Sequence, residues 1–206
     1  MKKKRLEAIA SLVDKDAFTL DIGTDHAYLP IYLINNNITN KVIASDISKN
    51  VLSQSLNNLK KYNLDDKVLL VQSDGLNNIK DNVDIAIIAG MGAHTIINII
   101  NKAKKLPKKL IIQSNNNVDK VRKYMQGINY KIIKEMVVYE NNKYYIIIKY
   151  EKGKDNLTKE EIAFGKNYNK EYLQYLLKKY KENVLNNKEY EKNILQLEHF
   201  IEKIQD

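Results

Sequence analysis

Short apolar runs alternate with amphipathic segments along residues 1–150. Five runs rich in Val, Ile and Leu end in polar residues or glycine, at positions 17–23, 41–46, 67–74, 83–90 and 108–115. Such runs are typical of strands that are buried on both faces of a parallel sheet. Repeated strand–helix units predict an α/β fold with a doubly wound parallel sheet and right-handed crossovers.

The clearest helical pattern lies between the second and third runs, at residues 48–64. Ser48 stands at the N-cap position, and one face of the predicted helix carries Val51, Leu52, Ser55, Leu56 and Leu59. Further along, residues 128–153 predict two strands around Asn141–Asn142, which is the signal of a terminal antiparallel hairpin.

The pattern changes after Gly153, where no further strand is predicted. Thr158 and Glu161 have the spacing of a capping box, and residues 168–185 and 188–205 predict two helices. Apolar residues in the second helix follow the spacing of a coiled-coil seam, at Tyr190, Ile194, Leu197, Ile201 and Ile204. We therefore predict a ligand-binding domain at 1–153 and a helical, antiparallel coiled-coil domain at 154–206.

Composition narrows the class of protein. Apolar residues make up 44% of the 206 residues, and cysteine is absent, which excludes disulfides and thiolate metal sites. No apolar run approaches the ~18 residues of a membrane span. The basic N-terminus is interrupted by Glu7 and Ser11, so it predicts an amphipathic helix and not a signal peptide. We expect a cytoplasmic protein without a metal, and a monomer.

The net charge of +9 is confined to the first domain. Residues 1–150 hold 23 Lys and Arg against 14 Asp and Glu, whereas residues 151–206 hold 11 of each. A basic domain attracts polyanions such as tRNA, although the same charges also suit a solvated surface. The candidate tRNA-binding residues form two clusters, an N-terminal cluster of Lys2, Lys3, Lys4 and Arg5 and a second cluster of Lys102, Lys104, Lys105, Lys108 and Lys109.

Acidic residues and glycines follow the predicted strands, at Asp21 and Gly23, Asp46, Asp74–Gly75 and Gly90–Met91–Gly92. The carboxyl ends of parallel strands are where doubly wound sheets bind ligands. Gly23 permits a tight turn, Asp46 can accept from both hydroxyls of a ribose, and Asp74 can accept from an exocyclic amino group. The ligand that these groups describe is an adenosine.

The first of these turns, DIGTDHAYLP at residues 21–30, disfavours a dinucleotide. It lacks the further glycines of a pyrophosphate-binding turn, and Asp25 would repel a phosphate. Asp21 and Asp25 suit a ligand with a cationic end, such as S-adenosylmethionine. An NAD-dependent oxidoreductase, a methyltransferase acting on another RNA or a small molecule, and a non-catalytic RNA-binding protein remain as alternatives.

Motifs along nearly the whole chain resemble the bacterial tRNA (adenine(22)-N1)-methyltransferase family. They are RLEAIASLV, DIGTDHAYLP, ASDI, SDGL, IAGMG, LIIQSN, ENNKYYIII and LTKEEIAFG. The resemblance implies a Rossmann-like class I methyltransferase sheet with a C-terminal coiled coil, S-adenosylmethionine as cofactor and tRNA as partner and substrate. Ser114, where the family usually has proline, and Ala93, where a glycine is common, depart from the pattern.

By this resemblance, Asp21, Gly23, Asp46, Asp74 and Gly75 would hold the cofactor, with Gly90, Met91 and Gly92 beside the reacting methyl. The cofactor-binding candidates are Asp21, Gly23, Asp25, His26, Asp46, Ile47, Asp74, Gly75, Gly90, Met91 and Gly92, and the substrate-pocket candidates are His26, Tyr28, Met91 and Asn115. N1 of adenine carries a free lone pair, so we expect catalysis by alignment and charge complementarity without a general base. The sequence identifies no catalytic side chain.

Overall fold

A computed structural model of the protein describes residues 4–166, 168–184 and 189–204, and the side chains of residues 189 and 190 lie outside this description. The strands are β1 (Thr19–Ile22), β2 (Val42–Asp46), β3 (Val68–Gln72), β4 (Ile85–Met91), β5 (Lys109–Ser114), β6 (Tyr130–Glu140) and β7 (Lys143–Lys152). The helices are α1 (Lys4–Ser11), α2 (Tyr28–Asn35), α3 (Lys49–Lys61), α4 (Ala93–Lys102), α5 (Val118–Gly127), α6 (Lys159–Phe164), α7 (Lys170–Asn183) and α8 (Glu189–Lys203).

The seven strands form one sheet in the order β3-β2-β1-β4-β5-β7-β6. Strands β1 to β5 are parallel, β7 pairs antiparallel with β5, and β6 pairs antiparallel with β7. The α/β prediction with a mixed, Rossmann-like sheet is confirmed. Because β1 lies between β2 and β4, the carboxyl ends of these three strands meet at one edge of the sheet, called here the carboxyl edge.

Both faces of the sheet are buried. Val42 and Ala44 of β2 and Ile85 and Ile87 of β4 pack in a cluster with apolar residues of α1, α2 and α3. The alternating residues that face the other side of the sheet are buried as well, including Ile43, Ala86 and Ile88. Burial of alternate residues on both sides explains why these strands are nearly continuous apolar runs in the sequence.

Helix α3 begins as predicted, because the Ser48 side chain accepts a hydrogen bond from the Val51 N–H. Its buried face is narrower than predicted. Ser55 and Leu59 are fully buried, but Leu56 is 37% exposed. The helix packs mainly on β3, the outermost strand on this side of the sheet, and on its neighbour β2.

The chain divides into two compact units, residues 1–155 and 156–206. In the second unit Thr158 and Glu161 form the predicted capping box at the start of α6. Phe164, Leu173 and Leu197 form a small apolar core, against which Phe200, Ile201 and Ile204 are partly buried. Lys181 of α7 and Glu198 of α8 form an ion pair at 2.6 Å. The side chain of Tyr190, the first residue of the predicted seam, lies outside the described part of the chain.

Candidate active site

The turn after β1 is tied to β2 by main-chain hydrogen bonds. The N–H groups of Gly23 and Thr24 both donate to the Ser45 carbonyl, at 2.8 and 3.0 Å. Gly23 has a φ of 73°, and a Cβ added there would overlap the terminal methyl of Met91. A larger residue here would adopt a strained left-handed backbone and displace the Met91 side chain, so glycine is favoured at this turn.

Asp21 is the buried acid of the site, with 5% of its surface exposed. Burial, together with the nearby charges of Asp46 and Asp25, raises the pKa of its carboxyl from 3.8 to about 6. The Thr24 hydroxyl lies close enough to oppose this rise, although its geometry falls short of a regular hydrogen bond. The structure therefore brings three of the predicted acidic residues together at the carboxyl edge.

The loop that follows is held by side chains of α3. The Ser55 hydroxyl donates to the carbonyl of Asp25, and the Asn58 amide donates to the carbonyl of His26 at 3.1 Å. Ala27, with a φ of 58°, is fully buried in a backbone conformation that costs about 1 kcal/mol for a residue with a Cβ. Such strain persists only where surrounding contacts impose it, and it is common at binding sites.

The predicted residues of this loop lie beside one another. His26 Nε2 lies 3.5 Å from an oxygen of Asp25, whose side chain is exposed. The rings of His26 and Tyr28 are 5.4 Å apart, and Tyr28 is exposed. The loop thus presents one carboxylate and two rings at the carboxyl edge.

The end of β2 offers a carboxylate next to an apolar side chain. Asp46 Oδ1 accepts a hydrogen bond from the Ser48 N–H at 2.8 Å, which orients its carboxylate. Ile47, between them, is 66% exposed, which is unusual for a large apolar residue. A carboxylate beside an exposed aliphatic group suits the ribose and the flat base of a nucleoside.

Asp74 has a partner that the sequence did not reveal. Lys102, a candidate tRNA-binding residue, lies with its ammonium 3.5 Å from Asp74 Oδ2. Gly75 is packed against Ile99 of α4, so the turn after β3 is fixed to that helix. Lys102 is therefore ion-paired with an acidic residue of the candidate cofactor site.

The turn after β4 is held by polar side chains from the end of β5. The Gln113 side-chain oxygen accepts from the Gly90 N–H at 3.1 Å, and the Asn115 side-chain nitrogen donates to the Gly90 carbonyl at 2.7 Å. Asn116 accepts from the Ala93 N–H at 3.0 Å. Gln113 and Asn116 were not predicted as site residues. The only signal for them in the sequence is the run of polar residues that follows the strand.

The two departures from the family pattern fit this arrangement. The Ser114 hydroxyl donates to the Asn116 carbonyl at 2.6 Å and closes the turn after β5. Ala93 is buried at the start of α4 and keeps its main-chain bond to Asn116. His94, the next residue, is exposed.

The N-terminal cluster lies at the carboxyl edge, whereas the second cluster extends from Lys102, beside Asp74, to Lys109 at the start of β5. In the N-terminal cluster, Arg5 donates to Gln113 Oε1 at 3.4 Å and lies over the Tyr145 ring, so it stands at the carboxyl edge. Lys2 and Lys3 lie outside the described residues. In the second cluster Lys109 begins β5, about 17 Å along the strand from the carboxyl edge.

Several charges of the second cluster are already paired. Lys109 lies 2.7 Å from Asp14, and this pair raises the pKa of the Lys109 ammonium. Lys108 lies 3.4 Å from Glu151, and Lys105 donates to the Asn82 side chain at 2.7 Å. Within the described residues, no group of acidic or histidine side chains could hold a metal ion, and no helix is long and apolar enough to span a membrane.

Comparisons with known proteins agree with this geometry. Residues 2–148 match the model of a methyltransferase domain family. The chain is 36% identical over 170 residues to a putative tRNA methyltransferase of Mycoplasma genitalium, covering 79% of this chain and 77% of that protein. It is 34% identical over 154 residues to the tRNA (adenine(22)-N1)-methyltransferase of Bacillus subtilis, covering 73% of this chain and 65% of that protein.

A solved structure matches over almost the full length. It is TrmK of M. capricolum in complex with S-adenosylhomocysteine, described as the natural cofactor product. The two chains share 33% identity with a TM-score of 0.89, and the match covers 98% of each. The chain therefore belongs to the tRNA (adenine(22)-N1)-methyltransferase family.

Proposed function

We propose that this protein transfers the methyl group of S-adenosylmethionine to N1 of adenine 22 in tRNA. The observation that carries the proposal is the convergence of Asp21, Asp46 and the turn Gly90–Met91–Gly92 at adjacent ends of β1, β2 and β4. A member of this family with the same fold holds the product of that cofactor.

Three features of the carboxyl edge fit an adenosyl cation. Asp21 is a buried carboxyl, with a pKa of about 6, that a nearby positive charge would ionise. The Thr24 hydroxyl is buried and has no hydrogen-bond partner in the described residues. Gly90 has a φ of 80° and open space where a Cβ would stand, so a ligand can approach its main chain.

S-adenosylmethionine supplies a methyl group activated by a positively charged sulfur. Asp46, oriented by the Ser48 N–H, accepts from ribose hydroxyls, and Asp21 and Asp25 provide negative charge for the cationic end. Ile47 and Asp74 lie on the side of the base, while Gly90 and Met91 border the reacting group. We assign each of these roles from the position of the residue at the carboxyl edge.

The chain need not supply a general base, because N1 of adenine has a free lone pair in the plane of its ring. Alignment of the base is the main contribution of the protein. N1 lies on the pairing edge of the base, so adenine 22 must be unpaired or flipped out. His26, Tyr28 and Asn115 are the side chains that we place around it.

The tRNA would contact basic residues of both clusters. We expect Lys4 and Arg5, at the start of α1, to contact the tRNA near the reacting base, and Lys104, Lys105 and Lys108, which precede β5, to contact a distant part of the phosphate backbone. Residues 1–153 form the cofactor-binding domain in this proposal, and residues 154–206 form an antiparallel coiled coil built on α7 and α8. A monomeric, cytoplasmic enzyme stays a prediction.

Methyl transfer from labelled S-adenosylmethionine tests the function. The purified protein is incubated with two tRNA transcripts that differ only in adenine or guanine at position 22. Label in the adenine transcript alone is the expected result. Equal label in both transcripts would indicate another target nucleotide, and cofactor binding without transfer to either would reject the proposed reaction.

A further inference from the structure

We propose that the side-chain oxygen of Asn115 accepts a hydrogen bond from the exocyclic amino group of the target adenine, and that Gln113 is the positioning residue that holds this amide in the required orientation. The inference deepens the proposed function and rests on it. It starts from four groups at the end of β4, which we call the Gly90 clamp: the main chain of Gly90 and the side chains of Gln113, Asn115 and Arg5.

The side chains of the Gly90 clamp form hydrogen bonds with both main-chain polar groups of Gly90, its N–H and its carbonyl. Gly90 N–H donates to Gln113 Oε1 at 3.1 Å, and Asn115 Nδ2 donates to the Gly90 carbonyl at 2.7 Å. Gln113 Nε2 donates to Asn115 Oδ1 at 3.1 Å, which closes the ring of hydrogen bonds. The Asn115 main-chain N–H also donates to the Met91 carbonyl at 2.8 Å. Asn115 is thereby fixed at both its main chain and its side chain.

The main chain determines which way each amide faces. A backbone N–H can only donate, so the group of Gln113 that meets it must be the oxygen. A backbone carbonyl can only accept, so the group of Asn115 that meets it must be the nitrogen. The two remaining ends, Gln113 Nε2 and Asn115 Oδ1, then face each other as donor and acceptor. Reversing either amide would set two like groups against each other at two places.

Gln113 is well suited to hold this polarity because it cannot relax into solvent. It is 0% exposed, and its oxygen also accepts from Arg5 Nη1 at 3.4 Å. The Arg5 guanidinium lies 4.8 Å from the centre of the Tyr145 ring, and the Arg5 N–H donates to Glu140 at 3.4 Å. Arg5 thus supports Gln113 from the N-terminal helix.

One acceptor position on the clamp remains open. An amide oxygen has two lone pairs, and Gln113 occupies one of those on Asn115 Oδ1. The other has no donor among the described residues, and Asn115 is exposed beside Gly90 and Met91. An ordered acceptor next to the methyl-transfer turn suits a donor on the incoming base.

Adenine carries such a donor next to N1. Its exocyclic amino group can donate to Asn115 Oδ1 while the neighbouring N1 lone pair stays free to attack. Guanine has a carbonyl oxygen in place of the amino group, and this oxygen cannot donate to Asn115 Oδ1. Its N1 carries a proton, so N1 has no free lone pair to attack the methyl group. The clamp therefore selects adenine and orients its N1 with the same contact.

A substrate lacking only the amino group tests the contact. Transcripts carry adenine or unsubstituted purine at position 22, and kcat/KM is measured for the wild type and for Asn115→Ala. We expect the adenine-to-purine ratio to be about 5- to 100-fold smaller in the variant, because the hydrogen bond is then absent with either base. Comparing ratios removes the intrinsic difference in N1 reactivity between the two bases.

Binding provides a second readout that does not need turnover. In the presence of S-adenosylhomocysteine, the wild type should bind the adenine transcript more tightly than the purine transcript, and Asn115→Ala should bind both alike. Gln113→Leu should lose part of the adenine-to-purine ratio, since Asn115 Oδ1 then loses the donor that orients it. Asn101→Ala, an exposed asparagine on α4, is the matched control and should retain the full ratio.

Two results would overturn the inference: a wild type that does not distinguish adenine from purine, or an Asn115→Ala variant that is folded by thermal melting and keeps the wild-type ratio. Failure of the proposed function looks different, because the wild type would then leave the adenine transcript unmethylated. If Gln113→Leu keeps the wild-type adenine-to-purine ratio, Gln113 does not position Asn115.

Discussion

Replacing Asp21 with asparagine removes a charge that the fold holds away from water beside two other carboxylates. The pKa of Asp21 is raised from 3.8 to about 6, chiefly by burial. The folded state therefore holds this proton more tightly than the unfolded chain does. The stability associated with the protonated carboxyl is present below pH 3.8 and is lost as the pH rises through about 6.

The size of the effect follows from the shift. A difference of about two pKa units corresponds to roughly 3 kcal/mol of unfolding free energy that the ionised carboxyl costs above pH 6. Asp21→Asn keeps the shape of the side chain without the charge. We expect the ligand-free variant to be more stable than the wild type by up to about 3 kcal/mol at pH 8, and nearly equal to it at pH 4.

Urea denaturation of both proteins at the two pH values measures this difference directly. Asp66→Asn, at an exposed position, is the matched control for loss of a carboxylate. The same Asp21→Asn variant should bind S-adenosylmethionine weakly at every pH, whereas wild-type affinity should fall as the pH drops through about 6, because a cation favours the ionised carboxyl. A stability difference that is equal at pH 4 and pH 8 would refute the reasoning.

Three further predictions address other parts of the molecule. Asp46→Ala should weaken S-adenosylmethionine binding by about 1.5–3 kcal/mol in calorimetry, and an unchanged affinity would remove its ribose role. Arg122 and Glu135 form a buried ion pair at 2.6 Å between α5 and β6, so Arg122→Met should cost roughly 3–5 kcal/mol of stability in urea denaturation. The double variant with Glu135→Leu should recover most of that loss, and equal instability of both would contradict the unpaired-charge explanation. Lys104→Ala with Lys105→Ala should make tRNA binding less dependent on salt, and the slope of log affinity against log salt should fall by about 0.7–0.9 for each phosphate that these lysines neutralise. Identical slopes would place both lysines outside the tRNA-binding surface.

The sequence was informative where local chemistry decides the structure. The five parallel strands, the Ser48 cap and the Thr158 capping box all lie where short-range patterns predict them. The sequence also predicted that the glycines and aspartates at the strand ends lie near one another, because strand direction alone brings those ends together.

Pairings between distant residues could not be predicted in this way. The pairing of Asp74 with Lys102 and that of Lys109 with Asp14 depend on how elements pack in space, so charges assigned to tRNA from the sequence have partners in the fold. Leu56 fits the periodicity of α3 but is 37% exposed, because periodicity does not show how much of a helix its neighbours cover. In the sequence Gln113 is simply the polar end of a strand, and only the fold brings it to Gly90.

A crystal structure of the protein with S-adenosylmethionine bound tests the central claim most directly. We predict that the ligand lies at the carboxyl edge, with its ribose on Asp46, its cationic end near Asp21 and its methyl group beside Gly90 and Met91. A ligand bound elsewhere, or one at this edge that leaves Asp21 and Asp46 without contact, would contradict this assignment.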